Sequence, residues 1–158
     1  MANTQSMCTS FMGELLTATH NFGTAPTRGT STADTFKAAL YLASATVNAS
    51  TTAYSATNEV SGTNYTAGGV SISGWNAPTA TNSSSTAGVA FTTPTASISY
   101  TSVTLSTAFD CVLIYNSTQS NKAVSVHTFG SQTITAGTFT LTMPTNNTTN
   151  ALLRLATT

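Results

Sequence analysis

Along much of this chain an apolar side chain recurs at every second position with a serine or threonine between. This is the spacing of a strand that turns one face to a core and the other to water. Residues 96–105 read Ala-Ser-Ile-Ser-Tyr-Thr-Ser-Val-Thr-Leu, and residues 137–143 read Gly-Thr-Phe-Thr-Leu-Thr-Met. Threonine adds to the bias, because its branched Cβ packs well on a pleated surface. About seven or eight such short runs, spaced by turn residues at intervals of about 8–12, predict an all-β chain. The expected architecture is a single β-sandwich or jelly-roll-like domain with a short N-terminal helix.

The runs make eight strands, 34–42, 70–75, 88–91, 96–105, 109–115, 122–129, 132–143 (two runs, 132–135 and 137–143) and 150–155. Phe109–Tyr115 is the most apolar and reads as a central strand covered on both faces. It forms a hairpin with Lys122–Phe129 through the polar turn Asn116–Asn121. The apolar phase slips between Ile98 and Val103, which predicts a bulge. Met7, Phe11 and Leu15 recur at helical spacing, so Met7–Ala18 is expected to be a helix, weakened by Gly13. These elements divide the chain into an N-terminal helical arm, 1–20, and a β-sandwich domain, 21–158. His20–Thr32 and Asn76–Thr86 read as loops. Ala43–Thr66, long and built of small polar residues, is the expected contact-making arm.

Charged residues make up only 5% of the 158 residues, and the net charge is +0 at pH 7, against a usual charged fraction of about 25%. Roughly a third of the chain is Ser plus Thr, so hydroxyls stand where charges would be. Such a surface has little electrostatic protection against association. At 16.1 kDa the chain is long enough to bury a core without a metal or disulfide staple. Arg28, Lys37, Lys122 and Arg154 are scattered, so no basic patch favours nucleic acid. No apolar run of about 20 residues predicts a membrane span. The N-terminus lacks the charged and apolar regions of a secretory signal, so synthesis in a cytoplasm is expected. Cys8 and Cys111 are then expected as free, small apolar residues.

Candidates for chemistry are few: Glu14, Asp34, Glu59, Asp110, His20, His127 and the two cysteines. Period two sets His127 opposite Val126, on the more polar face, where a solvated or interface histidine is expected. His20 follows the helix and suits a role at its C-terminal carbonyls. Asp110 and Cys111 are strand neighbours that point to opposite faces, so they do not serve one nucleophilic site. No zinc spacing, phosphate loop or nucleophile-elbow motif occurs. The expectation is a protein that is not an enzyme and holds no cofactor or metal. Tyr54, Tyr65, Tyr100 and Trp75 would suit sugar stacking, but their spread favours core or interface packing. Met7, Phe11, Leu15, Tyr54, Tyr65 and Trp75 are the candidate interface residues.

Three blocks carry a resemblance. The first is Phe11-Met-Gly-Glu-Leu-Leu with His20-Asn-Phe22. The second runs from Asp34-Thr-Phe-Lys-Ala-Ala-Leu-Tyr41 through Tyr54 and Asn58-Glu-Val-Ser-Gly62 to Tyr65-Thr-Ala-Gly-Gly69. The third comprises Leu113-Ile-Tyr-Asn116, Asn121-Lys-Ala-Val124, Phe129-Gly130 and Asn150-Ala-Leu-Leu-Arg-Leu155. In this order the blocks resemble small virion structural proteins of tailed bacteriophages. The resemblance implies a capsid decoration, or cement, protein bound between capsomers on the capsid surface. Its partners would be the major capsid protein or other virion proteins, and its own state a homo-oligomer, a trimer by family analogy. The alternative it leaves open is a tail, adaptor or fibre-associated structural or receptor-binding module. It brings no catalytic residues, and Trp75–Thr95 lies outside it.

Overall fold

The computed structural model describes residues 3–16, 19–22, 33–81 and 88–156. In chain order the elements are β1 (Ser6–Met7), α1 (Thr9–Leu16), β2 (Phe36–Leu42), β3 (Val70–Ser71), β4 (Thr79–Thr81), β5 (Val89–Thr92), β6 (Ile98–Asn116), β7 (Lys122–Leu141) and β8 (Leu153–Ala156). They form a five-stranded antiparallel sheet, β1-β7-β6-β2-β3, and a three-stranded antiparallel sheet, β4-β5-β8. The chain is thus an all-β single domain with one short helix, as its alternation predicts.

The centre is β6 between β2 and β7. Val112 and Ile114 share a face with their partners Leu40 and Ala38, while Cys111, Leu113 and Tyr115 share the other with Tyr41, Ala39 and Lys37. All five of these β6 side chains are buried, so this strand is covered on both faces. β6 and β7 run on for 19 and 20 residues as one long ribbon. The runs 96–105 and 109–115, expected as separate strands, are one strand, as are the three runs between 122 and 143.

This ribbon does not run straight. Sixteen residues of straight strand would separate Ile98 from Ile114 by about 54 Å, yet both line one cavity. The bend falls where the pairing slips repeatedly between Tyr100 and Cys111. Ser102 (φ 54°) and Ala136 (φ 46°) take left-handed conformations there, the backbone signature of bulges that turn a strand. The expected bulge between Ile98 and Val103 is one of these slips. The far end of the ribbon therefore folds over the face of the central sheet formed by its own near end.

Two expected arms are part of the body. Within Met7–Ala18 the helix occupies Thr9–Leu16, and Met7 belongs to β1, which pairs with β7. Cys8 and Phe11 are fully buried. Asn3 donates to Asp110 (2.6 Å) and to the Leu42 carbonyl (3.1 Å), and accepts from the Val47 N–H (2.9 Å). The boundary between a 1–20 arm and a 21–158 domain is therefore not a structural one. Ala43–Thr66 likewise lies along the body, bridged at Glu59 to Tyr41, at Ala53 to Lys122 and at Thr63 to Thr104. Small residues allow this close approach, because a chain without bulk brings its backbone within hydrogen-bonding distance of a sheet. Of the expected loops, Asn76–Thr86 contains β4, with 82–86 outside the described residues. Most of His20–Thr32 also lies outside them.

Candidate functional site

Three places gather the chain's polar chemistry. The first is Glu59, a buried acid in the coil between β2 and β3. Its Oε2 accepts from the Tyr54 hydroxyl (2.7 Å), and its Oε1 accepts from the Tyr65 hydroxyl (2.7 Å) and the Gly68 N–H (2.8 Å). The other tyrosines surround it: Tyr41 donates to the Ser55 carbonyl, Tyr115 to Gly68 and Tyr100 to Ala38. Tyr54 stacks on Tyr115 with centroids 4.7 Å apart, and Tyr65 lies parallel to Tyr100 at 5.9 Å. Burial, joined by the charge of Glu59, pushes the Tyr115 phenol up to about 12 and the other four higher still. Both carboxylate oxygens and all five phenol hydroxyls in this knot have a partner inside the domain. Its effect is to fasten the coil 43–69 to the sheet.

The second place lies where α1 meets the turn after β6. Glu14 accepts from His20 Nε2 (2.6 Å) and from Lys122 Nζ (2.6 Å). Asn116, fully buried, spends its Oδ1 on the N–H groups of Thr118 and Gln119 (both 3.1 Å). That fixes the amide so that Nδ2 faces His20 Nδ1 (3.0 Å) and Asp34 Oδ2 (2.7 Å). His20 Nδ1 is therefore the acceptor and the ring hydrogen sits on Nε2, toward Glu14. Burial raises the Glu14 carboxyl, but the hydrogen bonds from Lys122 and His20 and the charge of Lys122 outweigh it and hold the group below its usual range. A histidine joined to a carboxylate is half of a nucleophilic triad, but both ring nitrogens are engaged and no nucleophile stands beyond them. Burial and Glu14 push the nearby Cys8 thiol up to about 11, and burial and Asp110 push Cys111 up to about 12. Both stay protonated, and so weakly nucleophilic, at neutral pH.

The third place is a cavity of about 260 Å³ under the folded-over ribbon, walled by Ile98, Val112, Ile114, Phe129, Phe139 and Leu141 with His127 among them. His127 is not on a polar, solvated face. Period two does place it opposite Val126, but the far end of the ribbon covers that side. Burial pushes the imidazole down to about 4.

The sequence-derived interface residues fall in different surroundings. Phe11 and Trp75 are buried in one aromatic cluster with His20, Phe22 and Phe36; Phe11 meets His20 at 4.9 Å and Trp75 meets Phe22 at 4.8 Å. Tyr54 and Tyr65 hold Glu59, and Met7 and Leu15 lie partly buried against the core. The exposed apolar side chain of α1 is Met12. Asp34 and Asp110, read only as isolated acids, each hold a distant strand or loop in place. Long-range pairing of this kind leaves no local signal in a sequence. Among the described residues no group of three or more His, Cys, Asp or Glu side chains is placed to hold a metal ion, and no helix is long and apolar enough to cross a membrane.

Fold and clusters together define a charge-poor all-β domain whose four acids all accept hydrogen bonds from within it. No family model matches the chain, and no curated protein or solved structure is significantly similar to it.

Proposed function

We propose that the chain is a structural protein of a tailed-bacteriophage virion, a capsid decoration protein that binds between capsomers and stabilises the shell. The observation that carries this reading is where the few charges are. Glu14, Asp34, Glu59 and Asp110 all accept hydrogen bonds from within the domain, and Lys122 is paired with Glu14. Arg154 donates to the Thr148 carbonyl (3.2 Å). Among the described residues the exposed side chains are mostly hydroxyls, amides and small apolar groups, with Arg154 one of the few charges at the surface and Met12 exposed on α1. Charge-depleted surfaces of this kind are what buried assembly interfaces are made of, and they carry little repulsion between copies packed at high density. The resemblance of the three sequence blocks to phage virion proteins points the same way. The partners are the major capsid protein or other virion proteins, and the chain acts as a homo-oligomer.

The test is the copy number of the chain in purified particles that encode it, by quantitative mass spectrometry against the major capsid protein. Copies in the hundreds are expected. A few to dozens would move the protein to a tail, adaptor or fibre position, and absence from the particle would defeat the virion reading. Light scattering on the purified chain tests the oligomer: a trimer of the 16.1 kDa chain runs at about 48 kDa.

A further inference from the structure

The cavity beside His127 is used by neither the fold nor the virion reading. The cavity is a cleft partly open to solvent, and an apolar cavity of about 150 Å³ already accepts benzene. This one measures about 260 Å³. Its lining is mostly carbon, and its polar members besides His127, which are Thr128, Gln132, Thr140 and Thr142, are all uncharged. A charged ligand would lose its hydration there without an ion partner. Phe129 and Phe139, with ring centroids 5.1 Å apart at 46°, offer an edge and a face to an aromatic guest. One group gives the wall polarity. His127 Nε2 shares a hydrogen bond with Ser125 Oγ (2.9 Å), and Nδ1 has no partner among the described residues. No other lining residue is titratable.

We propose that this cavity is a binding site for a small uncharged aromatic molecule, a single ring bearing a hydroxyl, with His127 as its hydrogen-bonding partner. A hydroxyl both donates and accepts, so it satisfies the free ring nitrogen in either tautomer. The proposal is independent of the virion reading.

The test is an amide NMR titration of the whole chain at pH 7 with p-cresol and, separately, toluene. Saturable shifts are expected for p-cresol at Val112, Ile114, His127 and Phe139–Leu141, with toluene about fivefold weaker for want of one hydrogen bond. In His127→Phe that difference should vanish. Leu141→Trp fills the space and should abolish the shifts while keeping a folded amide spectrum; Met143→Phe fills the same cavity from a coil should the first variant not fold. Shifts that stay linear to the solubility limit, or persist in the filled variant, would overturn the site. Equal affinity for toluene and p-cresol in the native chain would overturn the role given to His127.

Discussion

Glu59 is the centre of the tyrosine knot, because its carboxylate takes three donors from the coil that lies across the sheet. Glu59→Leu removes the acceptor and leaves two phenols and an N–H buried without partners. Hydrogen bonds to charged groups are worth about 1.5–3 kcal/mol each, and orphaned donors add to the loss, so a destabilisation of about 4 kcal/mol is expected. Glu59→Gln keeps one acceptor oxygen and turns an amide donor toward a phenol or the Gly68 N–H, which should cost about 2 kcal/mol. Tyr54→Phe, which removes one donor from a partly exposed position, should cost about 1 kcal/mol. The order Leu, Gln, Phe in urea midpoints is the check; equal losses would mean that the knot is not organised around the carboxylate. Little of this was legible beforehand. Period two says which face of a strand Tyr41 or Tyr115 occupies, but not which distant coil will lie across it. His127 shows the same boundary: alternation placed its side correctly, while its polarity depended on a layer arriving from the far end of its own ribbon.

At the scale of elements the sequence was more forthcoming. β2, the near halves of β6 and β7 and the last strand all fall inside their alternating runs. Continuity was the missing part. Ser106-Thr-Ala108 and Gly130-Ser131 have turn composition, yet they sit inside β6 and β7 as the irregular stretches that bend the ribbon. Local propensity does not separate a turn that ends a strand from a bulge that redirects it. The coil 43–69 includes Ala43–Thr66, which reads as an arm because nothing in its composition marks a docked segment. Its glycines carry that information structurally. A Cβ on Gly69 would stand 1.7 Å from the Ala38 carbonyl oxygen, and its φ of +71° disfavours any side chain. A Cβ on Gly62 would stand 2.0 Å from the Thr104 carbonyl oxygen. Gly69→Ala and Gly62→Ala should each cost at least about 3 kcal/mol, since backbone must move away from backbone. Gly130→Ala meets nothing nearer than 4.0 Å and should stay within about 0.5 kcal/mol of the native chain. Thermal melts of the three variants decide the matter: a mild Gly69→Ala would show the coil to be loosely held.

For the whole molecule, a near-neutral exterior over an internally paired set of charges ties stability to the few groups that titrate out of range. The N-terminal segment belongs to this whole. Removing residues 1–18 strips β1 from β7, takes Phe11 out of the aromatic cluster and leaves His20 and Lys122 without Glu14, so the truncated chain should lose its cooperative melting transition. In the intact chain, the pH profile follows from signs. His127 has its imidazole depressed from 6.5 to about 4, so between those values the unfolded chain binds a proton that the folded chain does not, and stability falls as pH drops from 6.5 toward 4. The full difference corresponds to at most about 3 kcal/mol, and the partial exposure of the ring reduces it. Glu14, held below its ordinary value of 4.5, adds a second loss as the pH falls further. On the alkaline side Cys8 and Cys111 are raised above their ordinary value of 9 and all five tyrosines above 10, so the unfolded chain gives up protons that the folded one retains, and stability falls as pH rises beyond 9, more steeply beyond 10. Urea midpoints against pH should therefore trace a plateau between about 7 and 9 with a loss on either side. Absorbance of phenolate should stay low in the folded chain past pH 10 and rise together with the loss of structure. His127→Leu, apolar like the wall around it, should flatten the limb between 6.5 and 4 and leave the alkaline limb unchanged. An acid limb that keeps its slope in that variant would place the proton uptake elsewhere, and phenolate appearing near pH 10 before unfolding would mean that the tyrosine knot is open to water.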